Sequence, residues 1–561
     1  MKRSLLNLFL ILSFNVPLLI AQSGEKGIGE SLTNDVFQYI AVNEIRMWIS
    51  NNGDGSHDPQ TDGGGLYWPG GINGMISAVY EDGLIWGGKV GLEIRVNGNT
   101  HRQGLQAGKI LPDGTADDPS LPKYRVFKIL DGWENLPPGP ERDQYEQDYN
   151  EWPVEDGAPW VDVDEDGIYT PGIDTPEYVG DETLWYVAND MDPSRSTFTY
   201  GTLPIGLEFQ TTTYAFDETN FLADVVFKKY RIINKGLVTV EDMYLTYWMD
   251  DDLGNAVDDF SGCDTILNLG YTYNADNFDE DIPPYTLGYG TPPPAVGHMI
   301  VQGPIVEGAP SDSAFFNNSW RFGFKNMPMT TSAFYINSGS VIWRDPQQGV
   351  PQGAIEFYNY MQGLVWDGSP FVDPHTGLPT VFPLSGDPDG GTGWYEGPGW
   401  PGGPIPGDRR GIVTSGPFTM AVGDTQEVVI AIFLAQGDNH LHSVTKLKEK
   451  AIDIQNFYGA YVITDIDENM SYLPEGFLLY QNYPNPFNPS TTIKFSLSSS
   501  GYATLKIYNA LGEEVAVLLD KEFTAGNYEV EWNAGGLPSG VYFYQLKTEG
   551  IIEIKKMVLL K

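Results

Sequence analysis

Cysteine is almost absent: Cys263 is the single copy in 561 residues, so no internal disulfide and no multi-cysteine zinc site can form. Basic residues are scarce too. With 32 Lys and Arg against 75 Asp and Glu, the formal charge is −43, and a polyanion such as DNA or an acidic membrane surface is repelled over most of the protein. Nucleic-acid binding is excluded on that ground. Six scattered histidines (His57, His101, His298, His375, His440, His442) form no metal-ligand pattern, and neither a GxSxG elbow nor an HExxH sequence occurs. Beyond the first residues the longest apolar run, 428–435, is β-branched and too short for a membrane span, so it reads as a buried strand.

What is present is globular in kind. Apolar residues make up 41% and aromatics 13%, more than a disordered chain carries. At roughly 100–200 residues per domain, the length calls for three or more folded units. Short alternating runs separated by Gly, Pro, Asn and Asp turns predict an all-β protein of multi-domain β-sandwiches with long Gly/Pro/Asp-rich loops.

The two ends differ from the middle. Residues 1–21 begin with Lys2 and Arg3, continue through the apolar run 8–14 and reach Ala21 after Pro17, the pattern of a secretory signal peptide. No transmembrane segment is then expected in the mature chain. Residues 472–561 carry nine acidic and seven basic side chains, so nearly all the negative charge lies upstream of them. Six strands are expected in this tail, at 492–497, 503–508, 514–519, 527–532, 541–547 and 551–559, forming an Ig-like sandwich.

The tail also carries recognisable motifs. They are Tyr483-Pro484-Asn485-Pro486-Phe487-Asn488-Pro489, Gly526-Asn527-Tyr528 with Trp532, Leu537-Pro538-Ser539-Gly540-Val541-Tyr542, and the closing Lys555-Lys556-Met557-Val558-Leu559-Leu560-Lys561. In this order at the chain's end they resemble the type A C-terminal sorting domain of the type IX secretion system. The resemblance implies a Gram-negative bacterium, export to the periplasm by a signal peptide, and recognition of the tail by the outer-membrane type IX machinery. It further implies removal of the tail on release, or attachment at the cell surface. The sorting residues it marks are Tyr483, Pro484, Asn485, Pro486, Phe487, Gly540, Tyr542, Lys555 and Lys556.

Upstream, residues 22–195 read as an acidic β-rich region, and 196–460 as a larger sandwich with a long Gly/Pro/Trp-rich insertion at 260–410. Residues 461–478 read as a linker and 479–561 as the sorting domain. Residues 222–233 and 238–248 look like a hairpin around Asn234-Lys235-Gly236, and 418–420 like one that returns over Gly423-Asp424. One helix stands out near 441–458, where Leu441, Val444, Ala451, Ile454 and Tyr458 recur at helical spacing after Asp438 and Asn439.

Two acidic stretches could hold calcium. In Asp162-Val163-Asp164-Glu165-Asp166-Gly167-Ile168-Tyr169-Thr170-Pro171-Gly172-Ile173-Asp174, alternate carboxylates before a glycine let a tight turn aim Asp162, Asp164 and Asp166 inward. The Ile168 carbonyl and Asp174 would complete an oxygen shell. Ile173 stands where an EF-hand has its bidentate Glu, and the stretch resembles instead the aspartate-rich loops of thrombospondin type 3 repeats. Asp250, Asp252, Asp258 and Asp259, around Gly254, form the second candidate; Asp54, Asp58 and Asp62 form a weaker third. All are read as structural rather than catalytic, with calcium cross-linking loops where disulfides are missing.

Other signals are slight. Gly397, Gly399 and Gly402 match GxGxxG, but prolines sit inside it, and the P-loop-like run from Gly83 to Lys89 ends in Val90 where Ser or Thr is needed. Cys263, beside Asp264, reads as a buried structural thiol. Trp366, Trp394, Tyr395 and Trp400 offer a sugar-stacking platform or, as the favoured reading, pack the insertion onto its sandwich. The function these features support is a calcium-stabilised structural or binding module, exported outside the cell, with a glycan or a neighbouring surface protein as partner. The alternative is an extracellular polysaccharide hydrolase working through two carboxylates.

Overall fold

The computed structural model describes residues 35–164, 166–282, 286–309, 312–336, 342–464, 478–479, 482, 485–497, 501–509, 512–523, 526–548 and 552–560. The signal-peptide reading and most of the expected linker lie outside the described residues. The chain divides into two compact units, Met1–Ile463 and Thr464–Lys561.

The first unit is built on two antiparallel sheets. The larger runs, in spatial order, through Phe127–Leu130, Glu182–Asn189, Leu207–Ala215, Val225–Asn234, Thr425–Ala435, Ala295–Gln302, Leu269–Asn274 and Asp259–Asp264. The smaller runs through Thr331–Ile336, Arg409–Met420, Val240–Asp250, Glu81–Val90 and Glu93–Gly98. Between them lies one apolar layer, to which Val226, Tyr230, Ile232, Val428, Ile430 and Ile432 contribute from the larger sheet. Leu84, Trp86, Met243, Leu245, Tyr247 and Met249 meet them from the smaller.

Each sheet is also covered on its outer face. Val225, Phe227, Val429, Ala431 and Phe433 pack against Val444, Leu447, Ala451 and Ile454 of the helix His440–Thr464. On the far side, Ile85, Trp248 and Ile412 pack against Ala354, Phe357, Tyr358 and Met361 of the helix Pro351–Met361. This four-layer order explains why the central strands are apolar without alternation: side chains on both faces leave water, each large one worth roughly 1.5–3 kcal/mol.

Several expectations are corrected. The division at 195/196 does not separate packed units, because strands from both sides of it share both sheets. Residues 260–410 are not simply an insertion, since Leu269–Asn274 and Ala295–Gln302 complete the larger sheet and Thr331–Ile336 edges the smaller. The expected hairpins are arches. Val225–Asn234 and Val240–Asp250 belong to opposite sheets, as do Arg409–Met420 and Thr425–Ala435, so each connection crosses the core layer. Among the described residues three further α-helices occur, Pro140–Asn150, Pro193–Tyr200 and Pro351–Met361; the first two are too polar or too short to show an apolar period.

The second unit matches its expected strands closely. One sheet orders Leu478–Leu479, Ser490–Leu497 and Gly526–Asn533; the other orders Glu514–Phe523, Gly501–Asn509, Gly540–Lys547 and Ile552–Leu559, all antiparallel. Ile493, Phe495, Leu505, Ile507, Trp532, Tyr544, Leu546, Met557 and Leu559 form its core.

Candidate functional site

The acidic loop is pinched at its base by a two-residue ladder, Trp160–Val161 against Thr175–Pro176. That closure brings Asp162 and Asp174 to the same place. Gly167 and Gly172 take φ of +77° and +87°, which lets the chain between them fold back tightly. Carboxylate oxygens of Asp162, Asp164 and Asp174 lie within 4.8 Å of one another, so this triad could hold a metal ion.

Backbone amides hold the buried and half-buried members in place. Val163 N donates to Asp174 Oδ1 at 2.8 Å and Thr170 N to Asp174 Oδ2 at 2.6 Å. Asp166 N and Gly167 N donate to the two oxygens of Asp162 at 3.1 and 2.8 Å. Asp164 remains exposed, and partial desolvation together with Asp166, Asp174 and Asp162 holds its carboxyl above the usual range. Asp166 and Ile168 build the turn instead of the triad: Ile168 N donates to Asp166 Oδ1 at 2.7 Å. Among the described residues no Lys, Arg or His pairs with any of the three.

The second candidate is rearranged. Register places Asp250 between Glu81 on one neighbouring strand and Arg410 on the other. Asp250 and Asp252 converge within 4.8 Å on Asp408, a residue that sequence reasoning missed. Asp258 and Asp259 do not join them. Asp259 is buried and accepts from Leu253 N at 3.1 Å, shaping the loop from within, while burial pushes the Asp258 carboxyl up to about 6.

This triad already has cations. Arg410 Nε lies 3.2 Å from Asp250 Oδ1, and Arg410 Nη1 lies 3.1 Å from Asp408 Oδ1. His101 bridges two acids, with Nδ1 at 2.8 Å from Glu81 and Nε2 at 3.2 Å from Asp250. Burial would lower its pKa, but hydrogen bonds to Asp250 and Glu81 raise it to about 10. A divalent ion here would compete with an arginine and an imidazolium.

The weaker stretch disperses. Asp58 accepts from Tyr67 Oη at 2.6 Å, Asp62 faces His57 at 3.3 Å, and Asp54 turns into the region between the sheets. Gly83 to Lys89 lies within the strand Glu81–Val90, with no phosphate-binding turn. Cys263 is buried, and its thiol is pushed up to about 12 by desolvation. Of the four aromatics offered for sugar stacking, Trp394 and Tyr395 are buried. Trp400 packs on Phe334, Trp343 and Trp394, and Trp366 lies under the Arg344 guanidinium at 3.8 Å. Trp394 and Tyr395 are thus buried, and Trp366 and Trp400 are half-buried against the neighbouring core.

In the tail, Tyr483 and Pro484 lie outside the described residues. Phe487 is buried against Trp532 at 5.5 Å, its N donates to the Val558 carbonyl, and Leu560 N donates back to its own. Asn485 Oδ1 accepts from Val558 N at 2.9 Å. Pro486 and Gly540 are exposed. Tyr542 is buried with its hydroxyl on the Pro538 carbonyl at 2.9 Å, and Lys555 and Lys556 sit on the strand Ile552–Leu559 with Lys556 in solvent. The proline-rich opening and the closing strand thus form one joint.

Comparisons with known proteins bear on the tail alone. No curated protein matches the sequence. Solved structures with some likeness include a polysaccharide lyase (9% identity, 63% of this chain and 34% of that one, TM-score 0.17). Others are dimeric latent PorU from Porphyromonas gingivalis (10%, 67% and 31%, TM-score 0.14) and PorZ, a surface component of the type IX secretion system of the same organism (13%, 72% and 47%, TM-score 0.12). The chain spans less than half the length of each, and scores of this size carry no argument about fold or activity. No helix among the described residues is long and apolar enough to cross a membrane. Residues 481–560 match the secretion system C-terminal sorting domain, and with that domain the chain is a type IX export substrate, carried across the outer membrane to the surface or the medium.

Proposed function

We propose that the unit ending at Ile463 is a calcium-stiffened structural or binding module that type IX export delivers outside the cell. The observation that carries this reading is the triad Asp162, Asp164 and Asp174: three carboxylates within 4.8 Å, on a loop closed at its base by a two-residue ladder. Like charges so close repel unless a cation joins them, and an all-oxygen set suits a hard ion such as Ca²⁺. Extracellular calcium is concentrated enough for a weak, open site of this type.

A place for a polar ligand supports the binding half of the reading. An open depression of about 550 Å³ lies between the loop around Ser385–Gly386–Asp387 and the helix side chains Thr445, Lys448 and Ile452. Its polar rim suits hydroxyl-rich glycans or a neighbouring protein loop better than an apolar molecule. Thermal scans of the purified chain with calcium and with chelator test the first half, and coincident curves would overturn it. A glycan array paired with a reducing-sugar assay tests the second. Binding without turnover is expected, whereas turnover without stable binding would replace this reading with that of a polysaccharide hydrolase.

A further inference from the structure

Lys228 and Asp82 face each other across the layer between the two sheets, both buried, with Nζ 2.8 Å from Asp82 Oδ1. Lys228 lies on Val225–Asn234 of the larger sheet and Asp82 on Glu81–Val90 of the smaller, so the pair ties one sheet to the other. Tyr247 Oη donates to Asp82 Oδ2 at 2.7 Å. The strip Asp54-Gly55 closes the third side, with Gly55 N on the Asp82 carbonyl at 3.1 Å and Asp82 N on the Gly55 carbonyl at 2.9 Å. A Cβ on Gly55 would collide with Asp82 Oδ1 and Lys228 Nζ, so only glycine leaves room for them. Asp54 is itself buried and close enough to Lys228 and Asp82 to feel their charge; its Oδ2 accepts from Gln103 Nε2 at 3.3 Å, and its Oδ1 has no hydrogen-bond partner among the described residues.

A lysine and an aspartate buried in contact, near a third buried carboxyl with an unpartnered oxygen, have the composition of a self-condensing site. We propose that Lys228 and Asp82 form an intramolecular isopeptide bond, with Asp54 relaying the proton. Within the ion pair, Nζ first passes a proton to the Asp82 carboxylate, giving an amine and a carboxylic acid. The Nζ lone pair then attacks Asp82 Cγ. As the C–N bond forms, Asp54 takes one proton from Nζ and gives its own to the departing hydroxyl; the C–O bond breaks and one water leaves. No oxidant, reductant or cofactor enters the balance.

The surroundings favour each stage. Burial pushes the Lys228 ammonium down in spite of Asp82 and Asp54, and burial with Glu81 and Asp82 keeps the Asp54 carboxyl well above its ordinary range. Tyr247 supplies a donor where negative charge develops on the attacked carboxyl. Fixed contact between the reacting groups replaces a bimolecular encounter. The product removes two charges that are costly to bury and joins the sheets covalently in a protein that has no disulfide to do so.

Tryptic mapping of the purified, denatured full chain decides the matter. Peptides 47–89 and 196–229 should travel as one branched species, lighter by one water than the two together, with no cleavage after Lys228. Asp54→Asn should fold with a near-native circular dichroism spectrum and yield 47–89 and 196–228 separately, Lys228 being open to trypsin again. Recovery of both peptides unlinked from the wild-type chain would overturn the proposal whatever the variants do. A linked species in Asp54→Asn at wild-type yield would overturn the role given to Asp54.

Discussion

Asn234 reaches from one arch to the other: its Nδ2 donates to the Val238 carbonyl at 2.9 Å within its own connection and to the Met420 carbonyl at 3.1 Å in the second. The backbones join there as well, through Asn234 N to the Asp424 carbonyl and Gly423 N to the Asn234 carbonyl, at 2.9 and 2.8 Å. Because each arch carries the chain between sheets, this buried side chain fixes how the sheets stack.

Asn234→Ala is therefore expected to lose about 2 kcal/mol, since the buried Met420 carbonyl and the half-buried Val238 carbonyl both lose a donor. Urea unfolding of the variant and wild type measures this. A loss below about 0.5 kcal/mol, ordinary for a surface change, would mean the arches hold without it.

The arches also show where reading the sequence runs out. Asn234-Lys235-Gly236 has the polar, turn-forming make-up of a hairpin, and local chemistry alone cannot say whether the next strand pairs with its predecessor or crosses to another sheet. The helix at His440–Thr464 was legible because Val444, Leu447, Ala451 and Ile454 repeat on one buried face. Pro140–Asn150 was not, because its eleven residues are nearly all polar. The acidic loop could be read because Asp162, Asp164 and Asp174 are close in sequence. Asp408 could not: it joins Asp250 only through the pairing of Val240–Asp250 with Arg409–Met420, which no local pattern reveals.

Calcium dependence should separate the acidic groups. Asp164→Asn is expected to abolish the calcium-dependent rise in Tm. Asp258→Asn and Asp252→Asn should leave it intact, the first because it lies outside both triads and the second because Arg410 and His101 already neutralise its site. An unchanged calcium response in Asp164→Asn would move the site elsewhere.

His101 predicts a pH effect. Its folded pKa, raised from 6.5 to about 10, means that the imidazolium stabilises the fold fully below pH 6.5 and that this contribution is lost as pH climbs through about 10. The Tm of the wild type should fall across that window more steeply than that of His101→Gln, which carries no charge to lose. Parallel pH profiles would contradict the pairing with Glu81 and Asp250.

The central claim is that the unit beginning at Thr464 serves as an address and the unit before it as cargo with a core of its own. Its most direct test is fractionation of cells that express the chain without residues 464–561, followed by limited proteolysis of the retained protein. The account predicts a protease-resistant cargo confined to the periplasm; cargo arriving outside the cell without the tail would contradict it.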